Sequence, residues 1–142
     1  MKFPLFGFEK DWEWYPVVFE DEPVAPGEIK TVWDFERAGF IYYVFAKTDN
    51  PDLALAIDLV SKPGKIEAVL TARELWTEGF SNSINFRVLR WDDKNNIYAF
   101  EWYPGIMGFP GCPFKDKNIA KVINPTAVSS KFTLSAWIIL LR

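Results

Sequence analysis

The feature that most limits the fold of this chain is a succession of short segments in which residues alternate between two sides. From Ile29 to Phe35, for example, Ile29, Trp33 and Phe35 share one side, while lysine, valine and aspartate occupy the other. A period of two is the pattern of a β-strand. Residues 53–60 alternate in the same way. Because turn-forming residues flank these segments on both sides, the sequence predicts a series of short strands.

The whole chain divides into about eight such segments, joined by loops rich in proline, glycine, asparagine and aspartate. One of them, residues 40–46, is apolar throughout, which predicts a strand buried on both faces. Thr71 and Glu74 form a capping box for one short helix, which Gly79 would close. The pattern favours an all-β fold: a two-sheet β-sandwich of about eight strands, jelly-roll-like, with one short helix in a connection. The predicted strands are residues 12–19, 28–35, 40–46, 53–60, 84–91, 97–103, 119–123 and 130–141.

Local signals add detail at three places. Pro16 interrupts the first segment, which suits an edge strand because proline has no N–H to donate. Residues 92–96, Asp-Asp-Lys-Asn-Asn, predict a hairpin loop between the two segments beside them. Residues 20–27 and 104–113 are rich in proline and glycine, and they predict irregular loops.

The length of 142 residues suits one domain, and the sequence has no evident linker or internal repeat. We therefore expect an N-terminal arm over residues 1–12 and a single β-sandwich domain over residues 13–142. The arm is apolar between Phe3 and Phe8, but Pro4 breaks it and it is too short for a signal peptide. No stretch reaches the length of a membrane-spanning helix. We expect a soluble protein that binds no membrane.

Charge and composition exclude several classes of function. The net charge is −3 and no block of lysine or arginine stands out, which argues against nucleic-acid binding. The chain has no histidine, so it cannot build a Ser-His-Asp triad or a histidine-ligated zinc site. Its single cysteine, Cys112, permits no intrachain disulfide. We expect a protein without catalytic activity; a small hydrolase that uses a pair of carboxylates is a weaker alternative.

Two clusters of oxygen-bearing side chains lie in predicted turns. Calcium takes six to eight oxygen ligands, so such clusters are candidate sites. Aspartate and asparagine are also the residues that turns prefer, because their side chains bond to the local backbone. We expect a turn role and no cofactor, with calcium as the alternative. The candidate ligands are Asp49, Asn50, Asp52, Asp92 and Asp93.

Large apolar side chains are concentrated in the arm and in the loop after Tyr103. Loops normally lie on the surface, and exposed apolar patches usually mark contacts. A neighbouring copy of the chain would cover these side chains, which predicts a homo-oligomer. The expected interface residues are Phe3, Leu5, Phe6, Phe8, Ile106, Met107, Phe109 and Phe114.

Aromatic residues make up 18% of the chain, and some of them suggest a second use. A group of exposed rings could stack on sugars, which predicts a glycan ligand as the alternative to self-association. The structural alternative is that these rings fill the hydrophobic core. The candidate ligand-binding residues are Trp12, Trp14, Trp102 and Tyr103.

Residues 39–58 resemble a stretch of virion-associated β-sandwich proteins of tailed phages and related viruses. In those proteins a strand ends in a Thr-Asp-Asn-Pro turn, here residues 48–51, and the next strand closes on aspartate, here Asp58. Residues 124–126, Asn-Pro-Thr, are similar in character. The resemblance implies a structural role in a virion, as a capsid- or tail-associated component with other virion proteins as partners. We therefore expect a non-enzymatic assembly protein, with a carbohydrate-binding module as the alternative.

Overall fold

The structure is a computed structural model that describes residues 2–3, 8–58, 67–78, 85–106 and 108–141. Its regular elements are mostly strands. They are β1 (Lys2–Phe3), β2 (Phe8–Val24), β3 (Ile29–Phe35), β4 (Gly39–Thr48), β5 (Ala54–Asp58), β6 (Glu67–Leu70), α1 (Ala72–Thr77), β7 (Phe86–Asp92), β8 (Ile97–Trp102), β9 (Cys112–Phe114), β10 (Asn118–Ile123) and β11 (Ser130–Leu141). A single 3-10 turn, Pro104–Ile106, follows β8.

These strands form two antiparallel sheets. The seven-stranded sheet has the order β1-β2-β11-β4-β8-β7, with β9 also paired to β4, and the four-stranded sheet has the order β3-β10-β5-β6. Four of the antiparallel pairs are nested: β2 with β11, β3 with β10, β4 with β8 and β5 with β6. This nested pairing, alternating between two sheets, is the strand order of a jelly roll. The predicted all-β, two-sheet sandwich is confirmed. Its jelly-roll strands include β6, which was not predicted, while the predicted β7 extends the seven-stranded sheet beside β8.

The core lies between the two sheets, as β11 illustrates. Phe132, Leu134, Ala136 and Ile138 are buried on one side of this strand and belong to the main hydrophobic cluster. Trp137, between the last two, is exposed. Since side chains alternate across a strand, Trp137 must point away from the core onto the outer face of the seven-stranded sheet.

β2 is longer than the sequence predicts. The expected strand over residues 12–19 continues to Val24, so the expected loop over residues 20–27 begins five residues later. The expected arm over residues 1–12 is also revised, because residues 8–12 belong to β2 and Lys2–Phe3 pairs with it. Long-range pairing with β11 along residues 12–24 outweighs the local turn signals.

The open edge of β2 explains its prolines. No described strand pairs with residues 12–24 on the side opposite β11, so Pro16 and Pro23 occupy an edge strand, as predicted for Pro16. A β-bulge opposite Phe132 and Leu134 contains Asp21, whose φ is 45°.

The short helix and the hairpin follow the sequence signals. α1 begins where predicted, since the Thr71 hydroxyl accepts a hydrogen bond from the Glu74 N–H at 3.1 Å. Its predicted last residue, Gly79, lies outside the described residues. β7 and β8 form the predicted hairpin. β6 and β9 were not predicted, because segments of four and three residues are too short to show a period. Among the described residues, no helix is long and apolar enough to cross a membrane.

β4 is buried on one face only, contrary to the prediction for residues 40–46. Ile41 and Val44 are buried, whereas the tyrosines between them are half-buried. The register with β11 pairs Tyr43 with Trp137 and Ile41 with Ile138, so Tyr42 is an extra residue. This β-bulge turns two consecutive tyrosines to the outer face of the sheet.

Candidate functional site

The outer face of the seven-stranded sheet carries a concave site of about 500 Å³, which we call the aromatic groove. Most of its walls are aromatic, and a few polar groups lie among them. Sites of this volume and composition are typical of small-ligand binding. The lining residues are Trp14, Tyr42, Tyr43, Arg87, Glu101, Tyr103 and Trp137.

Strand register brings these side chains together. Trp137 on β11 lies beside Tyr43 on β4, and Glu101 on β8 lies beside Arg87 on β7. β8 pairs with β4 from Val44 onward and β9 pairs with it up to Ile41, which leaves the two bulge tyrosines facing a gap. The chain leaving β8 fills this gap with Tyr103, the residue after the strand. The groove therefore depends on five strands, of which only β7 and β8 are consecutive in the sequence.

The aromatic rings of the groove meet edge to face. The Trp14 ring lies 6.0 Å from Trp137 with an 86° angle between planes, and 5.2 Å from Tyr42 with an 83° angle. Tyr103 contacts Tyr42 at 5.5 Å and Tyr43 at 5.0 Å. Such geometry is favourable for aromatic quadrupoles. It also gives the groove walls that stand at an angle to one another.

An ion pair between Arg87 and Glu101 lies in the lining of the groove. Glu101 is only 5% exposed, and its Oε2 accepts a hydrogen bond from the Tyr43 hydroxyl at 2.6 Å. Its Oε1 accepts from Arg87 Nε at 2.7 Å and from Arg87 Nη2. Burial, together with the bond to Glu101, raises the pKa of Tyr43 well above its usual value of 10.0. The carboxylate is thus neutralised within the protein, while other N–H groups of Arg87 have no hydrogen-bond acceptor among the described residues and can donate to a ligand.

Two tyrosine hydroxyls form a second polar feature. The Tyr42 and Tyr103 oxygens are 3.1 Å apart, and their hydrogen bond is the main cause of a raised pKa for Tyr42. Only one of the two hydroxyls donates in this bond. The other keeps its hydrogen for a ligand, and both oxygens retain acceptor capacity.

Residues 103–106 and 108–111, in the loop after β8, pack against the groove from behind. The Phe109 ring lies 6.1 Å from Trp14 and 5.7 Å from Tyr42. A Cβ at Gly105 would overlap the Tyr42 ring, and one at Gly111 would overlap the carbonyl of Ile41. Both positions therefore need glycine, so that the loop can pack directly on the bulge of β4.

The predicted ligand-binding residues divide into two pairs. Trp14 and Tyr103 line the groove. Trp12 and Trp102 are buried, so their prediction as ligand-binding residues is wrong. The Trp12 ring packs against Trp14, and the Trp102 ring stacks on Phe86. Sequence reasoning missed the other lining residues. They are Tyr42, Tyr43, Arg87, Glu101 and Trp137.

The predicted interface residues also divide. Phe114 is a core residue stacked on Phe35, so its prediction as an interface residue is corrected. Phe109 is half-buried against the groove, and Ile106 is 52% exposed. Phe3 and Phe8 belong to β1 and β2. Leu5, Phe6 and Met107 lie outside the described residues.

The oxygens of the first predicted calcium cluster accept hydrogen bonds from protein groups. Asn50 Oδ1 accepts from the Asp52 N–H at 3.0 Å, which is the local turn bond that was expected. Asp49 Oδ1 accepts from the Lys131 N–H at 3.0 Å, and both Asp52 oxygens accept from Arg73. Asp49 and Asp52 therefore bond to segments that are distant in the sequence.

The carboxylates of the second cluster accept hydrogen bonds within the hairpin of β7 and β8. Asp92 accepts from the Asn95 side chain and N–H, which together with Arg90 lower its pKa to about 2. Asp93 accepts from the Tyr98 hydroxyl at 2.7 Å. Within the part of the chain that the structure describes, no group of three or more acidic or cysteine side chains is placed to hold a metal ion.

A second exposed aromatic cluster lies at α1 and β7, and we call it the tryptophan stack. The rings of Trp76 and Trp91 are 5.4 Å apart with an angle of 1° between planes. The Arg73 guanidinium lies 5.8 Å from the Trp91 ring, while binding Asp52. One face of each tryptophan ring is thus covered by the other ring, and a cation lies near Trp91.

No protein-family model matches the sequence, and no curated protein is significantly similar to it. Function must therefore be inferred from the geometry of the aromatic groove.

Proposed function

We propose that this protein binds carbohydrate in the aromatic groove. The observation that carries the proposal is the joint placement of exposed tryptophan rings, Trp14 and Trp137, with tyrosine hydroxyls around one concavity of about 500 Å³. A sugar ring has an apolar face of C–H groups and a rim of hydroxyls. Aromatic faces match the former, and the hydroxyls and Arg87 match the latter.

The groove favours binding without cleavage. Hydrolysis of a glycosidic bond normally requires two carboxyl groups, one on each side of that bond. Among the described lining residues, Glu101 supplies a carboxylate, and both of its oxygens already accept hydrogen bonds. This supports a binding module rather than a hydrolase.

A glycan array followed by tryptophan-fluorescence titration tests the proposal. Trp137→Ala should weaken binding of any array hit about fivefold or more, since one aromatic contact contributes about 1 kcal/mol or more. Trp76→Ala is the matched control, because Trp76 and Trp137 are both 44% exposed and only Trp137 lines the groove. Equal loss in both variants, or no array hit, would count against the proposal.

Self-assembly as a homo-oligomeric virion component is the second candidate. Ile106 beside the groove and Val18 on the open edge of β2 are large exposed apolar residues, which a second copy would cover. The jelly-roll strand order is also used by viral capsid proteins, although a fold does not decide function. Light scattering over a range of protein concentrations tests it, and a monomer throughout would argue against it.

A further inference from the structure

We infer that the aromatic groove selects a soluble, uncharged glycan chain over a flat polysaccharide surface or an acidic glycan. The inference rests on the proposed function and names the class of its ligand. It depends on three properties of the groove, namely the angles between its rings, its extent across the sheet and its internal charge balance.

The angles between the rings argue against a flat ligand. A crystalline polysaccharide presents a plane of sugar rings, and matching it requires aromatic rings that share a plane. Trp14 stands at 86° to Trp137 and at 83° to Tyr42. Tyr103 stands at 74° to Tyr43. No plane contains these rings, whereas a free chain can turn its faces and edges toward each wall in succession.

The extent of the groove argues for a chain rather than a single sugar. Its residues come from β2, β11, β4, β8 and β7, which are five neighbouring strands. At about 4.8 Å between strands, the distance from Trp14 to Arg87 across the sheet is about 19 Å. Several linked sugar units fit this length, and the chain would cross the strands.

The charge balance argues against an acidic glycan. Arg87 and Glu101 are the charged lining residues, and they form an ion pair with each other. A ligand carboxylate or sulfate near Arg87 would also approach Glu101, so attraction and repulsion offset each other. The remaining polar groups are the tyrosine hydroxyls and the free Arg87 N–H groups, which suit neutral sugar hydroxyls.

The test compares three kinds of probe on the intact protein. Soluble neutral probes are cello-, chito-, manno-, xylo- and malto-oligosaccharides; insoluble probes are microcrystalline cellulose and chitin; acidic probes are oligogalacturonate and heparin oligosaccharides. We expect binding to at least one soluble neutral series. We also expect less than about a twofold change in affinity when the ionic strength rises tenfold, since no net charge is involved.

Two variants assign the binding to the groove. Trp137→Ala should lower the affinity about fivefold or more, and Tyr103→Phe, which removes one hydroxyl, should lower it by about three- to tenfold. Trp76→Ala should bind like the unmodified protein. Preference for an insoluble or acidic probe would overturn this inference and leave the proposed function intact. Failure of all three kinds of probe would overturn the proposed function as well.

Discussion

The aromatic groove and the tryptophan stack are both exposed groups of aromatic side chains with an arginine bound to a carboxylate. They differ in how their ring faces are used. In the stack, Trp76 and Trp91 lie parallel and cover one another. In the groove, Trp14 and Trp137 stand nearly perpendicular around an open concavity. Exposure alone therefore does not mark a site; a ring contributes to binding when its face is left open.

The ion pairs of the two clusters differ in the exposure of their carboxylates. The arginine side chains are similarly exposed, 46% for Arg87 and 50% for Arg73, but the side chain of Glu101 is 7% exposed and that of Asp52 is 43% exposed. A buried carboxylate depends on its cation, while an exposed one is solvated by water. The groove should therefore be the more sensitive of the two regions to loss of its arginine.

The largest expected effect tests this difference directly. Arg87→Ala leaves Glu101 buried without its cation, and the free energy of unfolding should fall by about 3 kcal/mol. Arg73→Ala removes an exposed pair and a contact with Trp91, and should cost about 1 kcal/mol. Denaturant unfolding of both variants gives the two values. Equal losses would contradict the contrast drawn between groove and stack.

An intermediate effect is expected from the loop that supports the groove. Gly105→Ala places a Cβ where the Tyr42 ring lies, so the variant should lose about 2 kcal/mol in the free energy of unfolding. Near-ultraviolet circular dichroism should change as well, because Tyr42 packs against Trp14.

Gly27→Ala is the control for this variant. It adds a Cβ at a φ of 77° where no atom lies within 4 Å, so it should cost only about 1 kcal/mol and leave the near-ultraviolet spectrum unaltered. A Gly105→Ala variant that matched this control in both measurements would show that the loop does not hold the groove in place.

The smallest expected effect is a dependence of the free energy of unfolding on alkaline pH. Each cluster has a tyrosine bonded to a carboxylate, Tyr43 to Glu101 and Tyr98 to Asp93, and both tyrosine pKa values are raised. Because the folded pKa lies above the unfolded value of 10.0, each tyrosine contributes to the free energy of unfolding below about pH 10. This contribution is lost as the pH rises further.

Two phenylalanine variants separate the clusters. Tyr43→Phe should flatten the loss of stability above about pH 10 more than Tyr98→Phe does, since burial is the main cause of the shift only for Tyr43. Unfolding free energies measured on both sides of about pH 10 provide the check. A steeper loss in Tyr43→Phe than in the unmodified protein would contradict the assignment.

The candidate site was only partly predictable, and the reasons differ between residues. Alternation in β11 was enough to separate Trp137 from its buried neighbours, had the strand been assigned an outer face. Tyr42 was not predictable in this way, because a β-bulge moves it out of alternation. Glu101 and Arg87 gave no signal, since their pairing depends on the register between β7 and β8.

The sequence by itself determined eight of the strands, the capped start of the helix and the two-sheet sandwich. These follow from local alternation, turn residues and a Thr-Glu capping pair, which act over a few residues. Only the tertiary structure decided the length of β2, the one-sided burial of β4 and the composition of the groove. Each depends on which strands pair and in what register, a long-range choice set by the packing of the whole core.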